Sequence, residues 1–181
     1  LLDRDGAGEL RAMSRQVGSG DPDNVEARAA AKYFRLLFPE NPARGAENFH
    51  NAALNYGYAI IRSLLARSLV CYGFEPSLGL FHHSELNNFN LADDLIEPFR
   101  PLVDLFVAEN FSDVDEDSGL QPEHKRLLCE LPTLDIEIDG GRHSVSNAAD
   151  KTAKGLSTCI CGDGDTLSLP SLLPVGRHEY E

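Results

Sequence analysis

The chain has 181 residues, 42% of them hydrophobic, which is enough for one domain with its own core and too apolar for a disordered segment. Its formal net charge of -13 excludes a protein that grips nucleic acid with its whole surface, while leaving room for a local basic face. The four cysteines, Cys71, Cys129, Cys159 and Cys161, form no CxxC pair and read as reduced thiols of a cytosolic protein.

The sequence opens on Leu1-Leu2 inside a helical pattern and reads as a fragment of a longer protein. Leu1–Val17 is expected to be a helix weakened by Gly6 and Gly8. Ser19-Gly20-Asp21-Pro22 then stops it, and Asp21 as a cap with Pro22 at the first helical position starts a second helix over Pro22–Phe38. Pro39, Pro42 and Gly45 end that helix. At about 100° per residue, Arg28, Lys32 and Arg35 share one narrow polar face, whereas Glu26 falls between Tyr33 and Leu37 inside the apolar arc. A carboxylate in a core is costly unless paired, protonated or bound to a metal. The plain alternative is an exposed first-turn glutamate, favourable to the helix dipole.

Glu47–Tyr72 reads as a long helix ending at Gly73, apolar almost all round and therefore central, with Gly57 letting a neighbour approach closely. Its one polar stripe is Asn51, Asn55, Tyr58 and Arg62. That stripe is either a solvated edge or a surface offered to a bound anion such as phosphate. The run Ala52–Val70 contains Asn55, Arg62, Ser63 and Arg67, so it is no membrane span.

Leu78–His83 delivers two adjacent histidines on a turn. Asn87–Asn90 can cap the next helix, which puts Leu91, Ala92, Leu95, Ile96 and Phe99 on one side and Asp93, Asp94 and Glu97 on the other. Pro98 and Pro101 predict a kink or restart before an apolar helix over Pro101–Phe111. An acidic loop, Ser112–Pro122, and a short helix, Glu123–Leu131, follow. Thr133–Ile138 and Arg142–Val145 flank Asp139-Gly140-Gly141, a hairpin signal. Asn147–Cys161 reads as a helix and Gly162–Glu181 as an irregular tail. The fold class is therefore mainly α, with a helical domain over 1–161, one small β-hairpin near 133–145, and a tail over 162–181.

Nucleotide-loop, dinucleotide, zincin and nucleophile-elbow motifs are all absent. Glu26, His82 and Glu97 together offer two carboxylates and one imidazole, a donor set that suits Mg2+ or Mn2+ with water and phosphate completing the shell. Such an ion lowers the pKa of a bound nucleophile and stabilises charge on a phosphoryl group in transfer. Adjacent histidines on a turn are more commonly a surface feature, and nothing in the composition alone chooses between the two readings.

Three long segments occur in order: GDPDNVEARAAAKYF, NAALNYGYAIIRSLLAR and LGLFHHSELNNFNLADDLIEPFRPLVD. Together they resemble the CRISPR adaptation integrase family (Cas-one), in the type II branch. The likeness is strong over Leu10–Phe111 and looser to about Pro174. The resemblance implies a helical catalytic domain, with the family's N-terminal β domain absent from this sequence. It also implies Glu26, His82 and Glu97 as catalytic metal ligands and Asp94 as an auxiliary acidic residue. His82 is preferred to His83 because the family histidine stands three residues after Gly79, and Asp93 is the weaker choice.

The implied activity is a divalent-metal-dependent DNA endonuclease and integrase, with Mg2+ or Mn2+ as cofactor. It inserts prespacer DNA into the CRISPR repeat by 3′-hydroxyl attack on a phosphodiester. The implied partners are prespacer and repeat DNA, the companion Cas-two, a second copy in the full-length protein, and the Cas-nine effector. The expected location is the prokaryotic cytoplasm. Arg28, Lys32, Arg35, Asn51, Asn55, Tyr58 and Arg62 are the candidate DNA contacts. Full integration by this stretch alone is not expected without the β domain. The rival reading is a non-catalytic DNA-binding or scaffolding module of the adaptation complex, and a core-facing Glu26 would speak against it.

Overall fold

A computed structural model describes residues 6–18, 20–39 and 47–179. The expected start of the first helix at 1–5, and Pro42 and Gly45 after the second, lie outside the described residues. The elements are helices α1 (Ala7–Ser14), α2 (Val25–Leu37), α3 (Phe49–Cys71), α4 (Asn90–Ile96), α5 (Arg100–Asn110), α6 (Pro122–Leu128) and α7 (Val145–Cys161), with strands β1 (Asp135–Ile138) and β2 (Gly141–Ser144). Single 3-10 turns at Glu97–Phe99 and Leu131–Thr133 complete them. The mainly helical fold class with one small hairpin is what the sequence patterns indicate.

α3 is the central element. Asn48 caps it by accepting the Asn51 N–H at 2.9 Å, and Gly73, with φ of 84°, turns the chain away at its far end. Ala53, Leu54, Ile61, Leu65 and Leu69 are essentially without solvent exposure, because α4, α5, α6 and α7 pack around this one helix. Gly57 is where α5 comes closest: a Cβ there would lie 2.5 Å from Val103 Cγ1. Burial of these side chains is the main favourable term holding the bundle, at roughly 25 cal/mol per Å² of apolar surface.

α2 begins three residues later than expected. Pro22 and Asp23 lie in a turn, and Asp21 caps from outside it, its two carboxylate oxygens accepting the N–H groups of Val25 and Glu26, each at 2.8 Å. Pro98 falls in the 3-10 turn between α4 and α5, so the proline pair marks a change of helix type at that point. In the hairpin, Asp135 pairs with Ser144 and Ile138 with Gly141, across a two-residue turn of Asp139 and Gly140 with φ of 55° and 73°.

The described part of the tail, to residue 179, has no helix or paired strand but is fastened along β1. Isolated bridges join Leu134 to Arg177 and Glu137 to Ser171. His178 Nδ1 lies 2.7 Å from Asp135 Oδ1, and Arg177 reaches Glu130 at 2.5 Å. The four cysteines are free thiols. No described helix is long and apolar enough to cross a membrane.

Candidate active site

The loop joining α3 to α4 is built around one carboxylate. Asp94 Oδ2 accepts the N–H of Leu80 at 2.5 Å and of Phe81 at 3.1 Å. Its Oδ1 accepts the N–H of His82 at 3.0 Å and faces His82 Nδ1 at 2.7 Å. Asn90 holds the loop's two shoulders, donating to the carbonyls of Ser77 and Ser84, both at 2.9 Å. Gly79 is required for this closure, since a Cβ there would stand 2.1 Å from the His82 carbonyl oxygen. The side chains of Leu78, Leu80, Phe81 and Leu86 consequently face outward on a fixed backbone.

Burial opposes ionisation of Asp94, but the donors from His82, Phe81 and Leu80 outweigh it and hold its carboxyl below the usual carboxylate range. An ionised Asp94 only accepts, so Nδ1 of His82 carries the proton directed at it. In the neutral imidazole, Nε2 is then left as the nitrogen with a lone pair. His83 is exposed, and its Nδ1 lies 2.8 Å from the Phe81 carbonyl, so the structure distinguishes the two histidines by their partners.

Glu97 sits one turn beyond Asp94, in the 3-10 segment. Its side chain is 56% exposed, and its carboxylate accepts from Arg100 Nε at 2.8 Å. Arg100 also lies 4.7 Å from the centre of the Tyr58 ring. Asp93 is occupied differently, accepting from Asn87 Nδ2 at 2.7 Å with Arg62 Nη1 at 3.7 Å.

Glu26 requires a correction. The helical wheel placed it in the apolar arc, but it is exposed. Among the described residues no element covers that arc at the start of α2: Ala30 is exposed too, and only Val25 and Leu37 of the helix are buried. Among the described residues the Glu26 carboxylate makes no hydrogen bond or ion pair, and no three His, Cys, Asp or Glu residues come together to hold a metal ion. The structure thus joins His82 to Asp94, places Glu97 a turn away, and leaves Glu26 apart from them.

The candidate DNA contacts also divide. Arg28 and Arg35 are exposed, whereas Lys32 is paired with Glu9 of α1. Asn55 and Arg62 border a cavity of about 280 Å³ between α3 and α4. Asn51 and Tyr58 are buried. The Tyr58 hydroxyl is turned inward, donating to buried Asp104, which also accepts from Tyr33 at 2.9 Å. Burial beside that carboxylate pushes the Tyr33 phenol far above its ordinary value. Two residues escaped the sequence reading. Arg100 lies in the quoted PFRP run without being singled out, and a polar position beside a candidate acid was the available signal. Buried His50, held between Glu116 and the Phe111 carbonyl, gave none beyond its place in the first turn of α3.

Fold and site together define a helical domain that displays an imidazole–carboxylate pair on a rigid loop, with a second carboxylate one turn on. Comparison with known proteins puts that class within a family. The family described as CRISPR associated protein Cas1 matches residues 23–115, more than half of the chain, and the chain belongs to it. The chain is 43% identical over 176 residues to a CRISPR-associated endonuclease Cas1 of Neisseria meningitidis serogroup C, covering 97% of this chain and 58% of that protein. A second relative of that description, from Pyrobaculum aerophilum, is 28% identical over 150 residues, covering 83% of this chain and 50% of its own length. The chain therefore spans about half to three fifths of the length of these relatives. Among solved structures, a casposase bound to integration product superposes with a TM-score of 0.68 at 23% identity, covering 83% of this chain and 52% of that one, a likeness of fold.

Proposed function

We propose that this chain is the catalytic domain of a type II CRISPR adaptation integrase, acting on DNA with a divalent metal, Mg2+ or Mn2+. The observation that carries the reading is the His82–Asp94 pair, one turn from Glu97, inside the segment that matches the family. The matched segment also contains Glu26. In the proposed reaction a prespacer 3′-hydroxyl oxygen attacks phosphorus at the repeat end. A new phosphorus–oxygen bond forms while the phosphorus stays on the repeat's 5′ oxygen; its bond to the 3′ oxygen of the flanking nucleotide breaks, and that oxygen leaves as a hydroxyl, taking up a proton in place of the one the nucleophile gives up. With water as nucleophile the same exchange is a nick. Both run in the cytoplasm, with Cas-two, a second copy and the Cas-nine effector as proposed partners.

The chain's own contribution is orientation. Asp94 fixes the orientation of the His82 ring and takes its Nδ1, so that Nε2 is presented as a ligand or base. Glu97 supplies negative charge at the same flank. A bound ion would lower the pKa of the attacking oxygen and offset charge developing at phosphorus. The donors do not form a three-ligand cluster in this structure, because Glu97 holds Arg100 and Glu26 stands alone.

The exposure of Glu26 also weakens an argument against the rival reading. A scaffold has no use for a core-facing glutamate, but this glutamate does not face the core. The test is insertion of a labelled prespacer into a repeat-bearing plasmid by the full-length protein with its companion. Glu26→Ala, His82→Ala and Glu97→Ala are each expected to reduce insertion to background while melting as the wild type does. Insertion at the wild-type rate by all three would leave the scaffolding module standing.

A further inference from the structure

The cavity between α3 and α4 has two guanidinium groups on its wall with donors unspent. Arg62 lies 5.0 Å from the centre of the Phe89 ring and Arg100 4.7 Å from that of Tyr58, so each is braced on an aromatic face. Each also has a carboxylate on one edge. Glu97 takes Nε of Arg100 at 2.8 Å, and Asp93 stands 3.7 Å from Nη1 of Arg62, beyond hydrogen-bond distance. Among the described residues, Arg62 therefore donates no hydrogen bond, and neither terminal amino group of Arg100 does. Their side chains are 38% and 34% exposed, so both are partly withdrawn from water and held in place.

Two immobilised planar forks with idle N–H groups at one cavity of about 280 Å³ suit a ligand with several acceptor oxygens and a negative charge. We propose that Arg62 and Arg100 form a clamp for one phosphodiester group of DNA, on the flank where α4 carries Asp93 and the following 3-10 turn carries Glu97. The proposal rests on the reading of this chain as acting on DNA, and it assigns to Arg100 a role that the sequence patterns do not. Glu97 takes one edge of the Arg100 guanidinium and Asp93 stands beside one edge of Arg62, which leaves the remaining N–H groups of both to a ligand. The two carboxylates also make the local charge balanced, so the clamp selects by fork geometry more than by net charge.

The test is the salt dependence of binding between the chain and a short double-stranded DNA, with a parallel titration of inorganic phosphate followed by phosphorus NMR line broadening. Arg62→Ala and Arg100→Ala are each expected to lower the slope of log affinity on log salt by about one. Arg62→Lys and Arg100→Lys are expected to keep the slope while losing affinity several-fold, since charge is retained and the fork is lost. Arg67→Ala, on the same helix but at a different cavity, is expected to keep the wild-type slope. All variants are compared at matched melting temperature.

Wild-type slopes in both Arg→Ala variants, or an equal loss in Arg67→Ala, overturn the clamp. Phosphate broadening that depends on the two arginines while their DNA slopes are unchanged makes it a site for free phosphate and overturns the DNA assignment. If the wild-type chain binds no DNA, the reading of the chain as acting on DNA fails. In that case the phosphate arm alone decides: broadening lost in Arg62→Ala and Arg100→Ala supports an oxyanion clamp, and its absence in the wild type overturns one.

Discussion

Asp94 is the residue on which the site's geometry depends. The family resemblance gave it an auxiliary part near a metal, but both its oxygens are engaged with the backbone and ring of its own loop. That use was not legible in the sequence, because hydrogen bonds across twelve to fourteen residues leave no periodic trace. Asp94→Asn would keep the volume and remove one acceptor oxygen, setting an amide donor against N–H groups that already donate. A loss of about 3 kcal/mol is expected from bonds to a charged acceptor, read in a denaturant melt. The pH dependence has a definite sign. Because the folded carboxyl lies below its ordinary value, its stabilisation is fully present above the unfolded value of about 4 and fades as pH falls through the folded one. Amide exchange at Leu80–His82 should therefore be slow and nearly flat down to about pH 5 once corrected for intrinsic rates, then accelerate in acid. In Asp94→Asn it should be fast throughout. Glu26 teaches the opposite lesson. Helical phase places it on a face with Tyr33 and Leu37 but says nothing about whether another element covers that face, and Glu26 is exposed.

Helices whose apolar faces are covered by several neighbours were the most legible elements. The bounds of α3 and α5 agree with the hydrophobic pattern to within a residue or two at each end, because most of their apolar side chains are buried against neighbouring elements. The hairpin followed from its turn residues. The start of α2 did not, since Asp21 caps from beyond a turn that pattern reading takes as helix. Two glycines carry element-scale tests. Gly57→Ala would gain about 1 kcal/mol of helix propensity but press a Cβ to within 2.5 Å of Val103, where overpacking costs about 1–3 kcal/mol. A net destabilisation of about 1 kcal/mol is expected in urea, with an unchanged denaturant slope. Gly79→Ala meets backbone instead of a side-chain tip, so the loop has to open to accept it. It should raise amide exchange at Leu80–His82 and leave α3 and α7 protected. Unchanged exchange there would mean the loop can close without its glycine.

For the molecule as a whole, stability is distributed unevenly. α3 has neighbours on nearly every side, whereas α1 buries no residue and α2 buries two. The α1–α2 pair is held chiefly by Leu37 and Phe38 in the core, the Tyr33–Asp104 bond and the Lys32–Glu9 ion pair. Elements with so little buried surface open at a fraction of the global unfolding free energy. Amide exchange is therefore expected to be fastest in α1 and the first two turns of α2, and slowest in the middle of α3 and in α7. This bears directly on the proposed function, because Glu26 rides on the loosely attached helix while His82 sits on a loop that Asp94 of α4 braces against the core. Bringing Glu26 to the other two is a motion of α2, and α2 is the cheaper element to move. Adding Mn2+ should then slow exchange in the first turns of α2 as well as at His82, and Glu26→Ala should abolish the first effect while keeping part of the second. Protection confined to the His82 loop in the wild-type chain would remove Glu26 from the metal site, whatever the fate of the integrase reading.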